Sequence, residues 1–173
     1  MAYRLEFEQW VPFPLDQVFR FFANPGNLPP IMPPALGAQI QHMELVPPPD
    51  APPDAKTGPV AGTGSVAVIS VRMIPLLPFR AQWVARIVEF AWNHHFVDIQ
   101  EKGPFRSWRH QHWFVAETRG GVEGTVVGDL VEYEIGFGVL GKLAQNIFVA
   151  GEMRRTFAHR QRVLESLLAQ SRD

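Results

Sequence analysis

The sequence predicts an α+β fold in which a curved antiparallel sheet of about six to seven strands wraps around one long C-terminal helix. Three observations carry this prediction. From residue 62 onward, apolar and polar residues alternate in successive runs that are typical of half-buried strands. Proline and glycine separate these runs by short gaps, which favours an antiparallel meander. Apolar residues between 139 and 169 then recur at helical spacing.

The first part of the chain predicts one strand, two short helices and a second strand. Residues 3 to 11 alternate in polarity, as a half-buried strand does. Pro14 stands where a helix can begin, and the segment 24–27 ends that helix with asparagine, proline and glycine. Residues 28–32 predict a second short helix, which the surrounding prolines keep brief. Residues 37 to 46 predict the second strand.

Five further strands are predicted in the remaining chain. Their ranges are 63–74, 79–91, 94–102, 105–118 and 122–136. The turn signals between them are Pro75 with Pro78, Gly103-Pro104 and Gly120-Gly121. Because a single amphipathic helix must bury its apolar stripe, the concave face of the sheet is its only available partner. A sheet that grips one helix rarely closes fully, so the pattern also predicts a cavity.

The proline-rich segment at about residues 47–59 is predicted to be an extended surface loop. Its prolines exclude a helix or a central strand, and a loop is a commoner role for such a segment than a ligand for an SH3-type domain. We expect the whole chain, residues 1–173, to form a single domain around this loop.

Composition and charge exclude several classes of function. The formal net charge of -1 removes the usual electrostatic reason to propose a nucleic-acid partner. The chain has no cysteine, which excludes disulfides, thiolate catalysis and cysteine-ligated zinc. We see neither a signal peptide nor an apolar run long enough to span a membrane, and therefore expect a cytoplasmic protein.

Residues of the sheet and of the first helices match the pattern of one known superfamily. They are Phe96, Asp98 and Gln100, Gly103-Pro104-Phe105, Trp108, His110 and His112, Thr125, Asp129, Val131 and Tyr133, Gly136-Phe137-Gly138, and Pro14 to Phe19 with Asn27-Leu28. In these residues the chain resembles the START-like (SRPBCC) superfamily, which includes polyketide cyclases, and most of all its stand-alone bacterial ligand-binding members. The resemblance implies the helix-grip fold. It leaves function open, because the superfamily includes lipid carriers, hormone receptors and cyclases.

The strand at 105–118 carries the candidate site. Side chains alternate along a strand, so Trp108, His110, His112 and Phe114 face one way, which we take as the inner face. Hairpins at the two glycine-containing turns would place Asp98 near Trp108 and Asp129 near His110. The candidate ligand-binding residues are Trp83, His94, Phe96, Asp98, Trp108, His110, His112, Phe114, Asp129, Val131, Tyr133 and Ile147.

The histidines and aspartates of this face have three interpretations. They form a polar patch that orients a ligand, or a buried network whose members satisfy one another, or a metal site made of His110 and His112 with His94 and Asp129. Two histidines spaced in this way are a weak metal signal, so we predict neither a metal nor a cofactor. Arg154 and Arg155 lie mid-helix, where a solvated arginine is commoner than one bound to a ligand.

The function that the sequence predicts first is non-covalent binding of a hydrophobic small molecule, such as a lipid, a polyketide-like or an isoprenoid-like compound. The alternative is a cyclase or dehydratase type of enzyme with His110 and Asp129 as the catalytic acid–base pair. A third hypothesis is an interaction module without a ligand, which a filled core would favour. We expect a monomer or a homodimer with no nucleic-acid partner.

Overall fold

Seven antiparallel strands form one sheet in the computed structural model, which describes residues 2–56, 58–72, 79–136 and 149–171. The strands are β1 (Tyr3–Val11), β2 (Gln39–Glu44), β3 (Val66–Arg72), β4 (Arg80–Ala91), β5 (His95–Lys102), β6 (Ser107–Arg119) and β7 (Val122–Glu134). Their order is β1-β7-β6-β5-β4-β3-β2, so β2 to β7 form a meander and β1 pairs with β7. The predicted sheet and its antiparallel topology are confirmed.

Four helices accompany the sheet in the described residues. They are α1 (Leu15–Ala23), α2 (Leu28–Ile31), α3 (Pro53–Lys56) and the C-terminal helix α4 (Ala150–Gln170), with 3-10 turns at Pro25–Asn27 and Pro34–Leu36. The two short helices after the first strand are confirmed. The first part of the predicted helix at 139–169 lies outside the described residues, as does Ile147. None of the described helices has the length and the apolar character that a membrane span requires.

The proline-rich segment differs from its prediction as a surface loop. It contains the one-turn helix α3, and Ala55 of this helix and the preceding Ala51 are buried in the same core cluster as residues of α1. An ion pair of 2.7 Å joins Asp54 to Arg20 of α1. Proline is tolerated at the first position of a helix, and small alanines allow close packing, so the segment covers one side of the core.

The core consists of two aromatic clusters along the inner face of the sheet. The first surrounds Phe19 of α1 and includes Phe114 of β6 and Leu164 of α4. The second contains Trp108 of β6 and Phe157 of α4. The two histidines of β6 lie between Trp108 and Phe114 in the chain and face the same side, so a polar network separates the two apolar clusters.

The β6–β7 hairpin closes through a two-residue turn, Gly120-Gly121. Both glycines have positive φ, +57° and +80°, as a type I′ turn requires. A Cβ added at either position would meet no atom within 4 Å, so only the backbone conformation opposes a side chain there.

We expect Gly121→Ala to lower the free energy of unfolding by about 1 kcal/mol, because alanine disfavours the left-handed region while nothing obstructs its methyl group. Urea denaturation followed by circular dichroism measures this loss. Gly120→Asn is the matched control and should cost less, since asparagine tolerates this conformation. Equal losses in the two variants would mean that backbone conformation is not the cause.

Candidate functional site

Strand β6 presents four buried side chains to the inner face, namely Trp108, His110, His112 and Phe114. The predicted alternation is therefore correct, but the predicted register is wrong by two residues. Asp98 lies opposite His110 rather than Trp108. Asp129 lies opposite His112 rather than His110.

Two turns account for this register. The two-residue turn pairs Arg119 with Val122, and counting back from that pair brings Asp129 opposite His112. Between β5 and β6, the side chain of Gln100 donates a hydrogen bond of 2.8 Å to the carbonyl of Phe105. This hydrogen bond stabilises a connection that is longer than a two-residue turn. The side chains keep their faces because a shift by two residues preserves alternation.

Asp129 is the centre of a buried polar network. Its Oδ2 accepts a hydrogen bond of 2.6 Å from Arg160 Nη2 of helix α4. Its Oδ1 lies 2.9 Å from His110 Nε2, in hydrogen-bond geometry. The same oxygen lies 3.0 Å from His112 Nδ1, but this contact is too bent to count as a good hydrogen bond. One carboxylate therefore orients the His110 imidazole, lies against that of His112, and ties the sheet to the helix.

Asp98 of β5 faces the opposite edge of the same two rings. Its Oδ2 lies 3.7 Å from His110 Nδ1 and 3.5 Å from His112 Nε2. Each histidine thus has one ring nitrogen on the Asp129 side and the other on the Asp98 side. The ring centroids of the two histidines are 3.9 Å apart.

Burial and nearby charges act in opposite directions on the pKa values of these groups. Burial tends to raise the pKa of Asp129, but Arg160 and the two imidazoles outweigh it and hold this pKa well below its usual range. Burial lowers the pKa of His110, and His112 lowers it further. Burial also acts to lower the pKa of His112, but its contacts with Asp129 and Asp98 outweigh burial and raise it. The two histidines therefore differ: His110 stays neutral more readily, and His112 takes up a proton first.

A cavity of about 280 Å³ opens between the sheet and helices α1, α2 and α4. Its apolar wall includes Phe22, Ile69, Trp83, Ala85, Ile87 and Phe96. Its polar lining includes Asp98, His110, His112 and Arg160, and Asn24, Asn27, Ser65, Arg72, Glu152 and Thr156 also line it. The indole nitrogen of Trp108, which also lines the cavity, is buried without a hydrogen-bond partner in the described part of the chain.

Comparison with known proteins identifies the fold. No family model matches the chain, and no curated protein matches it. Solved structures do match over nearly its whole length. Among them is TTHA0849 from Thermus thermophilus, with a TM-score of 0.69, 16% identity, and coverage of 99% of this chain and 100% of that one.

Two further structures extend this similarity. Ara h 8.0201 has a TM-score of 0.60 and 13% identity, covering 98% of this chain and 99% of its own. Norcoclaurine synthase from Thalictrum flavum, solved in complex with dopamine and hydroxybenzaldehyde, has a TM-score of 0.58 and 13% identity, covering 95% of this chain and 87% of its own.

The chain has the START-like helix-grip fold. The resemblance seen in the sequence is thereby confirmed as a statement about fold, since identities this low carry no argument about activity.

The helix-grip fold brings about half of the predicted site residues to the cavity. Those that line it are Trp83, Phe96, Asp98, Trp108, His110 and His112. Phe114, Val131 and Tyr133 are buried in the core clusters instead, and Asp129 stands behind the two histidines. His94 is exposed in the turn before β5, where its Nδ1 lies 2.8 Å from Nδ1 of His95, so its predicted place beside His112 is wrong.

Arg160 is the residue of the cavity lining and the buried network that the sequence interpretation missed. It is only 8% exposed, and its guanidinium lies over the rings of Phe22 and Phe157 at 4.6 and 5.3 Å. A signal was present, because Arg160 falls at helical spacing between Phe157 and Leu164 on the buried stripe of α4. By contrast, the described residues Arg154 and Arg155 are exposed. An arginine on the apolar stripe, rather than one beside it, predicts a buried acidic partner.

Proposed function

We propose that this protein binds one small, mostly apolar molecule in the cavity between the sheet and the C-terminal helix. The cavity itself carries the proposal, since it combines a mostly apolar lining with a smaller number of polar groups, among them the Asp98, His110 and His112 cluster. This combination is typical of small-molecule sites, in which apolar contacts give affinity and convergent polar groups fix orientation.

The polar lining indicates how the ligand is oriented. Asp98 and the two histidines offer acceptors and donors to a hydroxyl, carbonyl or amine of the ligand, while Trp108 Nε1 offers one unused N–H donor. A volume of about 280 Å³ lies just below the usual range for ligand pockets. It therefore favours a compact aromatic or short isoprenoid-like compound over a long-chain lipid. The aromatic ligands of norcoclaurine synthase are consistent with that size.

The alternative proposal is an enzyme of the cyclase or dehydratase type. The hydrogen bond from His110 to Asp129 favours it, because this bond fixes the tautomer and leaves Nδ1 on the cavity side as an acceptor.

Deuterium exchange at the α-carbon of benzoylacetone, followed by NMR, tests this proton abstraction. Loss, in a folded His110→Ala protein, of the acceleration of exchange over buffer alone would favour the enzyme, and an unchanged acceleration would exclude His110 as the base. The cavity disfavours the third hypothesis, a ligand-free interaction module.

Filling the cavity should weaken binding. Ala85 of β4 lines the cavity and pairs with Ala67 of β3, which also lines it. We expect Ala85→Phe to weaken binding of the fluorescent probe 1-anilinonaphthalene-8-sulfonate by about tenfold or more, because the new ring occupies the probe's volume. Fluorescence titration measures the dissociation constant.

Val84→Phe is the matched control, because Val84 is the neighbouring residue of the same strand and is not part of the cavity lining. The affinity of the Val84→Phe protein for the probe should stay within about twofold of that of the parent protein. If both variants bind the probe like the parent, the cavity is not the binding site. Native mass spectrometry of gently purified protein would then identify any molecule that the chain carries from the cell.

A further inference from the structure

Three acceptor atoms converge at the polar side of the cavity. Asp98, His110 and His112 each offer one ligand atom, and these atoms all lie within 4.8 Å of one another. Asp98 Oδ2 is 3.7 Å from His110 Nδ1 and 3.5 Å from His112 Nε2. Asp98 belongs to β5 and the histidines to β6, so a paired stretch of the sheet holds all three. They face the cavity, because all three residues line it.

Asp129 determines which nitrogens carry hydrogen. Asp129 accepts a hydrogen bond from Arg160, and its Oδ1 lies 2.9 Å from His110 Nε2 and 3.0 Å from His112 Nδ1, so an N–H suits these two ring positions better than a lone pair does. In the neutral imidazoles, the opposite nitrogens then have free lone pairs. Both of these lone pairs lie on the side of the Asp98 carboxylate, so three electron-rich atoms stand together.

The two distances from Asp98 Oδ2 to the histidine nitrogens suit a tetrahedral metal ion. The two measured edges, 3.5 and 3.7 Å, are at the limit of hydrogen bonding or beyond it. A tetrahedron with metal–ligand distances of about 2.0–2.1 Å has edges of about 3.3–3.4 Å. An octahedron with the same distances has edges of about 2.9 Å, which would require a larger contraction.

The surroundings of the three atoms also match a metal centre. Histidines that bind metals usually donate their second ring N–H to a carboxylate, which fixes the ring and raises its basicity. Asp129 provides this support for His110 and lies against Nδ1 of His112 at 3.0 Å, and Arg160 anchors Asp129 in turn. The sequence pattern pointed to His94 and Asp129 as further ligands, but His94 is exposed elsewhere and Asp129 stands behind the rings.

We propose that Asp98, His110 and His112 bind a divalent transition-metal ion, with zinc as the best fit, and leave its fourth position open to the cavity. Two imidazoles and one carboxylate form a ligand set that zinc accepts in sites with an open position. An ion there would hold an oxygen or nitrogen donor of a ligand in the cavity. This proposal does not rest on the proposed function, because the ion can bind when the cavity holds no organic molecule.

Zinc titration of the untagged protein tests the site. The full chain is treated with a chelator, dialysed, and titrated with zinc sulfate by isothermal titration calorimetry. We expect one ion per chain with a dissociation constant of about 1 µM or tighter. Cobalt, as a spectroscopic substitute, should give the intense visible absorption of a tetrahedral site.

The decisive variant is Asp98→Asn, which preserves shape and leaves the Asp129 network intact. Affinity for zinc should fall by about a hundredfold, with the midpoint of thermal unfolding nearly unchanged. The double variant His94→Ala with His95→Ala removes the exposed histidine pair at the β4–β5 turn, where zinc could bind adventitiously, and should keep the cavity site. The proposal is overturned if zinc does not bind, if Asp98→Asn binds like the parent, or if the double variant alone loses binding.

Discussion

Replacing Arg160 by methionine will lower the free energy of unfolding by about 3–5 kcal/mol. Arg160 and Asp129 are 8% and 4% exposed, and they are joined by a charged hydrogen bond of 2.6 Å. Methionine preserves much of the packing against Phe22 and Phe157 but removes the positive charge. The Asp129 carboxylate is then buried with only the two imidazoles as partners. Urea denaturation followed by circular dichroism measures the loss.

Two comparisons separate the charge from the packing. Arg155→Met, on the exposed face of the same helix, removes a surface ion pair with Glu152 and should cost about 1 kcal/mol or less. The double variant Arg160→Met with Asp129→Leu should be more stable than Arg160→Met alone, because no uncompensated charge remains buried. If Arg160→Met alone costs less than about 1 kcal/mol, the ion pair does not tie the helix to the sheet.

The parts of the structure that depend on local pattern were predictable from the sequence. Alternation along β6 identifies Trp108, His110, His112 and Phe114 as one inward face, because the pleat of a strand enforces it. Turn residues identify the ends of the strands, because their effect on the backbone is also local. The Gly120-Gly121 pair, for example, supplies the two positive φ angles of the hairpin turn.

The pairing between strands was less predictable, because it depends on the length and shape of each connection. The hydrogen bond from Gln100 to the carbonyl of Phe105 shapes the β5–β6 connection, and its effect cannot be read from composition. This connection decides that Asp98 faces His110 and that His94 remains in the turn. The face on which a side chain lies is determined by its odd or even position along the strand. The residue that lies opposite it is determined by the register between the two strands.

The depth of each residue behind the cavity wall depends on tertiary packing alone. Val131 and Tyr133 share the inner face with the histidines, yet the sheet and α4 enclose them in the core. Arg160 reaches Asp129 only because α4 crosses the sheet at that point, 31 residues further along the chain. Sequence patterns predict that a cavity exists, but the helix position determines which side chains reach it.

The second large effect concerns the aromatic cluster around Phe19 of α1. Phe19 is fully buried, and its ring packs edge-on against those of Phe90, Trp92, Phe96 and Phe114. We expect Phe19→Ala to lower the free energy of unfolding by about 3–5 kcal/mol, since the loss of contact area and the remaining void both destabilise the fold. Urea denaturation measures this decrease in the free energy of unfolding, and near-ultraviolet circular dichroism reports the aromatic packing.

Phe79→Ala is the control, because Phe79 is 76% exposed and its removal should change the stability by about 0.5 kcal/mol or less. Phe19 does not line the cavity, whereas Phe96, which it contacts, does. The Phe19 cluster therefore supports the cavity wall from behind, and α1 is needed to keep Phe96 in place. A loss below about 1 kcal/mol for Phe19→Ala would mean that α1 contributes little to holding this wall, and the cavity would then depend on α4 and the sheet alone.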